Sequence, residues 1–340
     1  MRRAAGVHQD DGAPAGDTRR VRLATFNILH ARSPADGRVD LDRFAAAVRR
    51  LDADVLALQE VDRDQARSHG ADLTSIAAAA MGAPAHRFAA TLHGEPGLWV
   101  AATGAHQPRG AAYGIALLSR YPVREWRVLT LPVLHRRAPV RFPGRRWPEL
   151  VRDEPRAGIA AVLDAPGGTM TVVCTHLTFI PRWNALQLRR LVGAVEELPR
   201  PLVVMGDLNL EDGHPAQLTR MVPLASAPTY PTGRPSRQLD HILAQGAVAP
   251  TGRAESIDLG LSDHRALVVD VRIGAAAARG GAARGGRPGA RTPPGPASVR
   301  REVPRERQGP QAGTPGPSST SERGGYARPM QRLRRRRAGR

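Results

Sequence analysis

The sequence contains no lysine, a single cysteine and no apolar run long enough to span a membrane. Every basic residue is therefore arginine. Arginine forks suit phosphate oxygens, although a lysine-free chain rich in Ala, Gly, Pro and Arg is also what a GC-rich genome encodes. One cysteine excludes an intramolecular disulfide and a cysteine-based zinc site. Cys174 lies inside the apolar run Thr171–Thr175 and reads as a small buried hydrophobe rather than a nucleophile. The first twenty residues carry basic side chains but no apolar h-region, so no signal peptide and a cytoplasmic protein are expected.

Large aliphatic residues are nearly absent after Gly274, where the chain turns into Gly, Pro, Ala, Ser and Arg. Such a segment buries too little apolar surface to offset the entropy of ordering it. The expected organisation is a disordered segment over 1–19, one folded domain over 20–273 and a disordered Arg/Gly/Pro-rich basic tail over 274–340. The net charge of +19 divides unevenly between them. The tail holds 16 Arg against 3 Glu, leaving about +6 on the rest of the chain.

Within the domain, hydrophobic periodicity predicts buried strands over 21–27, 54–60, 169–175 and 202–206. Further strands are expected over 86–91, 97–102, 114–119, 123–131, 158–163, 238–243 and 266–271. Helices are expected over 40–51, with Asp40 as N-cap, over 72–81 and over 182–197. No repeat recurs at a fixed period. This mixture suits an α/β fold of two packed sheets covered by helices.

Polar residues recur where the buried strands stop. Asn27, Glu60, His176, Asp207 with Asn209, Asp240 with His241, and Asp263-His264 each border an apolar strand. A lone Asp or Asn at such a point is ordinarily a turn former. Seven or eight of them, on strands whose ends meet at one rim, point to a site. Glu60, Asp207 and Asp263 offer hard oxygens suited to Mg²⁺ or Mn²⁺ rather than zinc. Asn27 and Asn209 suit phosphoryl oxygens or a cation without adding charge. His176 and His264 suit phosphate contact or proton movement, and Asp240 could orient one imidazole. His241 faces away by strand alternation, Ser262 braces the loop before Asp263, and Arg156 reads as a salt-bridge partner.

In order along the chain stand ATFNILH (24–30), LALQEVD (56–62), YGIALLSRYP (113–122), CTHL (174–177), MGDLNL (205–210), LDHIL (239–243) and LSDHRAL (261–267). Together they resemble the endonuclease/exonuclease/phosphatase superfamily with the DNase I-like fold, from about residue 20 to 273. Each motif is weak alone; GDxN with SDH about fifty residues later and QE upstream is a specific combination. The resemblance implies a four-layered α/β/β/α sandwich and a Mg²⁺- or Mn²⁺-dependent phosphoesterase. It implies Glu60 as principal metal ligand, assisted by Asn27 and Asp263. Asp207 would orient or activate water, and Asn209 would hold the phosphate. His264, paired with Asp240, would contact the scissile group as base or electrostatic stabiliser. His176 matches the histidine of members with a second imidazole, an acid for the leaving group.

The expected substrate is a phosphodiester in nucleic acid. The segment His135–Trp147 carries five Arg with Phe142 and Trp147 interleaved, a pattern suited to a polyanion groove. The basic tail favours polyanions in general. A lipid or small-molecule phosphodiester is the alternative, with Leu98–Val100 as a membrane-touching tip. A catalytically silent nucleic-acid-binding protein is the third reading, against which stand carboxylates that would repel one another without a cation. A monomer with no transmembrane segment is expected. Removing 274–340 should leave the thermal midpoint unchanged, and a large drop would show that the tail packs on the domain.

Overall fold

Strand alternation decides where each layer lies. The computed structural model describes residues 20–102, 107–141 and 145–274. The expected segment 1–19, the tail beyond Gly274 and Phe142 lie outside them. In strand Arg20–Asn27, Val21 and Leu23 face one way, Ala24 and Phe26 the other. The first face meets Ile159, Leu163, Val172, Val203, Met205 and Ile242 of a second sheet, forming the apolar layer between the sheets. The second face packs on Phe44, Val48 and Leu51 of helix Leu41–Leu51 and on Leu73, Ala77 and Met81 of helix Leu73–Met81. Beyond the second sheet, Val173, Val204 and Leu243 cover Leu188 and Leu191 of helix Trp183–Ala194. The layers therefore run helix, sheet, sheet, helix, as expected.

Among the described residues one main sheet has eight strands and the other six, beside a separate two-stranded sheet. Each main sheet contains one parallel pair: Arg20–Asn27 with Val55–Arg63, and Gly168–His176 with Leu202–Asp207. The C-terminal ends of these four strands open on the same rim. Their antiparallel neighbours, Asp240–Gln245 and Ala266–Ile273, bring N-terminal ends there. Alternation then aims the side chains. Val172 and Cys174 face the inter-sheet layer, and His176 continues the phase. Val203 and Met205 lead to Asp207 in the same way, and Ile242 and Ala244 point back to Asp240.

The main elements agree with the sequence reading. Asp40 accepts from the Arg43 N–H and Asp72 from the Ser75 N–H, capping the first two long helices. The third helix is shorter than 182–197. It runs Trp183–Ala194 because Arg182 is left-handed (φ 67°) and Val195 departs from helical angles. The strand expected over 97–102 is only Val100–Ala101. Several short elements fall outside the expected ranges, among them the helix His214–Thr219, the strands Val222–Pro223, Val248–Pro250 and Glu255–Ile257, and the hairpin Ala138–Val140/Glu149–Val151. That hairpin overlaps the Arg-rich segment, and Ala138 and Val140 seat it on Ile180, with Phe179 and Trp183 alongside.

Gly206 makes the rim possible. Its φ is 150°, and a Cβ there would lie 1.9 Å from the Thr175 carbonyl oxygen. Gly206→Ala must push apart the two parallel strands that carry His176 and Asp207, so it should destabilise the protein by about 3 kcal/mol or more. A lower urea midpoint with an unchanged slope is the expected result.

Candidate active site

Glu60 reaches the rim through a break in the strand pattern. Leu56 and Leu58 face the helices, Ala57 and Gln59 the inter-sheet layer. The register against Ala112–Ser119 then shifts between Gln59 and Val61. Glu60, at φ 57°, is the extra residue of this bulge, and Val61 resumes the helix-facing phase. A bulge beside a site re-aims one side chain without disturbing the core pairing on either side. The chain leaving Asn27 is also unusual, with Leu29, His30 and Ala31 all left-handed. The Leu29 N–H donates to Asn27 Oδ1 at 3.2 Å, fixing the amide.

Asp207 Oδ2 is the hub of the arrangement. It accepts from Asn27 Nδ2 at 3.0 Å, and two imidazole nitrogens flank it: His176 Nε2 at 3.5 Å and His264 Nε2 at 3.7 Å. Asn27 Nδ2 also donates to Glu60 Oε1 at 3.1 Å, so one amide bridges two carboxylates. Asp207 Oδ1 accepts from the Asn209 N–H at 3.0 Å. Asn209 is left-handed (φ 49°), and its Nδ2 donates to the Leu177 carbonyl at 3.0 Å, 3.4 Å from His176 Nε2. His264 Nδ1 lies 2.8 Å from Asp240 Oδ2. Ser262, left-handed at φ 73°, donates to the Asn27 carbonyl at 2.6 Å and accepts from the His264 N–H. It ties the loop to the first strand, as its bracing role requires. Asp263 lies close enough for its charge to act on Glu60. All eight expected site residues thus share this rim. His241 points to the opposite face, with Nε2 2.8 Å from the Leu210 carbonyl.

Some contributors carried no signal in the sequence. Thr229 donates to Asp240 Oδ2 at 2.6 Å, and the Tyr230 ring lies 5.0 Å from that of His264. Asn184 Nδ2 donates to the Asn209 carbonyl at 2.7 Å, holding that loop from the helix. Arg156 pairs with Glu154 at 3.2 Å as expected, yet it is buried and its Nε has no partner. Its charge reaches His176.

The electrostatics follow from burial first and from neighbouring charges second. Burial, then the charge of Asp263, pushes Glu60 up to about 7. Burial, then Asp240, pushes Asp207 up to about 6 against the opposing pull of His264. Burial and the Arg156 charge hold His176 well below the usual imidazole range. For His264 burial opposes protonation, but Asp240 and Asp207 outweigh it and raise the ring to about 10.

The rim of this two-sheet sandwich thus gathers carboxylates, amides and two imidazoles. Residues 24–264 match the Endonuclease/Exonuclease/phosphatase family, and the chain belongs to it. It is similar to an endonuclease/exonuclease/phosphatase from Beutenbergia cavernae, at 27% identity and TM-score 0.57, covering 75% of this chain and 72% of that one. An endonuclease/exonuclease/phosphatase from Bacteroides vulgatus shares 17% identity at TM-score 0.54, over 75% and 99% of the two chains. Sphingomyelinase C from Streptomyces griseocarneus shares 16% at TM-score 0.50, over 74% and 99%. The last two likenesses show the fold. No curated protein matches the chain. Among the described residues no helix is long and apolar enough to cross a membrane.

Because pairing raises His264, its stabilising effect is complete below pH about 6.5 and is lost as pH rises through about 10. In metal-free protein the ring should stay protonated at pH 8 by NMR. Asp240→Asn should bring its midpoint down by at least one unit, and an unchanged midpoint would remove Asp240 as the cause.

Proposed function

We propose that this protein is a divalent-cation-dependent phosphodiesterase acting on nucleic acid. The observation that carries the reading is the Asp207 hub: a buried carboxylate flanked by two imidazole Nε2 atoms and bridged by Asn27 to Glu60. Its supports are a carboxylate for water, imidazoles for phosphoryl oxygens and a second carboxylate for a cation, all within one rim.

The carboxylates of Glu60 and Asp263 suit a hard cation, whereas Asn27 turns Nδ2 toward Glu60 and would have to turn its amide over to offer an oxygen. Burial first, and then neighbouring carboxylates, push Glu60 and Asp207 upward, and a bound cation would favour their charged forms. One oxygen or nitrogen each from Asp207, Asp240 and His264 also lie within 4.8 Å of one another. There, however, Asp240 Oδ2 and His264 Nδ1 already satisfy each other at 2.8 Å, and an imidazolium repels a cation. We therefore assign the ion to Glu60, with Mg²⁺ favoured by the carboxylate oxygens and Mn²⁺ as substitute. When bound, it would neutralise charge on the phosphoryl oxygens.

The protein's own groups divide the remaining work. Asp207 orients and activates the attacking water. His264, held cationic by Asp240, stabilises the developing negative charge. Asn209 holds the phosphate beside His176. The neutral imidazole of His176 serves as a hydrogen-bond donor to the phosphoryl group, in place of the acid role expected from the sequence. Arg156 Nε adds a fixed positive charge behind it.

Nucleic acid is supported by the Arg-rich hairpin, which packs next to the segment following His176 and exposes Arg136, Arg137, Arg145 and Arg146. A lipid phosphodiester is the second reading. It is favoured by Leu98, Trp147 and Leu150, which are 79%, 71% and 63% exposed. Glu60→Gln should lose most activity and regain part of it with excess Mg²⁺. Asp207→Asn should stay inactive at every Mg²⁺ concentration. Equal rescue of both would refute this division of roles.

A further inference from the structure

Two arginines beside the rim are built into the same kind of stack. Arg67 donates Nε and one terminal nitrogen to the two oxygens of buried Asp62, both at 2.7 Å. Its guanidinium carbon lies 5.4 Å from the Tyr113 ring centre and 5.7 Å from that of Trp99. Those rings are 6.0 Å apart. This stack borders Glu60, whose charge acts on both Arg67 and Tyr113. On the other side Arg237 is held by Glu211 at 2.7 Å, and its guanidinium carbon sits 5.9 Å from the Tyr230 ring. Tyr230 in turn lies against His264. Carboxylate, guanidinium and aromatic ring thus recur in that order on both flanks of the reacting centre.

These rings are not core. Tyr121, Trp126 and Trp183 pack against the hydrophobic clusters, whereas Trp99, Tyr113 and Tyr230 belong to none and keep part of their surface exposed. Aromatic residues make up only 4% of the sequence, so three of them on one polar rim need a reason beyond filling space. An arginine already lies near each ring, which argues against a quaternary ammonium headgroup, since a second cation would be repelled. A neutral, flat, polarisable ring suits such a platform. Nucleobases are such rings, and they flank both sides of every internal phosphodiester in a strand.

We propose that Trp99 with Tyr113, and Tyr230 on the opposite flank, are stacking platforms for unpaired nucleobases on either side of the scissile phosphate, making single-stranded nucleic acid the substrate class. The inference rests on the phosphodiesterase reading and narrows it. Stacking needs bases freed from a duplex, so strands, loops or ends should be preferred over paired helices.

Binding tests this separately from catalysis. The full chain, in EDTA and moderate salt, is titrated by fluorescence anisotropy with an eight-nucleotide DNA strand. The comparison ligands are its RNA equivalent, an abasic strand of equal length and the matched duplex. The abasic strand keeps every phosphate, so attraction to arginine cancels in the comparison. Wild type should prefer base-bearing strands over the abasic strand by roughly a hundredfold. Trp99→Ala and Tyr230→Ala should each cut that preference about tenfold, which corresponds to the stacking of one base. Trp99→Phe and Tyr230→Phe should keep most of it, and thermal melts should show all four variants folded. DNA bound more tightly than RNA, or the reverse, would fix the sugar within the same class. Equal binding of base-bearing and abasic strands, or a preference that survives both alanine variants, would overturn the proposal. So would binding to phosphatidylcholine–phosphatidylserine vesicles that Trp99→Ala abolishes in a protein with no base preference. Failure of the phosphodiesterase reading would instead appear as absent Mg²⁺-dependent hydrolysis of bis-p-nitrophenyl phosphate.

Discussion

The constraint on which the rest of this structure depends is the convergence of four carboxylates, Glu60, Asp207, Asp240 and Asp263, on one rim. Burial is the main reason that Glu60 and Asp207 are displaced upward, and the like charges of Asp263 beside Glu60 and of Asp240 beside Asp207 add to it. The surrounding hydrogen bonds relieve part of it. Asn27 donates to two of the carboxylates, and Thr229 and His264 both meet Asp240 Oδ2 while Oδ1 has no partner. The unrelieved part is what a bound cation would neutralise, and so the same crowding that costs stability favours a metal.

The rim is held by the sheets and shaped by backbone that departs from them. His176, Asp207 and Asp240 simply continue the inward phase of their strands. Glu60, Asn209 and Ser262 instead adopt left-handed angles, which non-glycine residues occupy at a cost of order 1–3 kcal/mol each. Such angles persist where the surroundings over-determine them. Here the surroundings are the apolar layers between the sheets and under the helices, with the close approach at Gly206 fixing the spacing of the two central strands.

This division also explains what was legible in the sequence. Strand-end residues could be recognised because the apolar alternation leading to them is strong, and the sandwich follows from the order of those strands. Glu60 was legible by its motif, but its bulge was not, since one extra residue leaves no mark on a nearly continuous apolar run. Thr229 and Tyr230 arrive in a loop whose course is fixed by a backbone bond from the Thr229 N–H to Arg237 and by the contact with Asp240. No local pattern encodes such long-range closure. The hairpin Ala138–Val140/Glu149–Val151 was hidden for a similar reason: its strands are three residues each, and only packing on Ile180 gives them a place. Arg156 was half legible, as a salt-bridge partner whose second, unpaired nitrogen no sequence could reveal.

The site therefore combines a charge-crowded centre, a cationic hairpin to one side and ring-bearing flanks. The most direct test of the central claim is hydrolysis of a mixed phosphoester panel by the full chain with and without Mg²⁺. The panel should hold single-stranded DNA and RNA, plasmid DNA, sphingomyelin vesicles and bis-p-nitrophenyl phosphate. Mg²⁺-dependent cleavage of a nucleic-acid phosphodiester is the predicted result. Folded protein that binds Mg²⁺ and cleaves none of these would contradict the account.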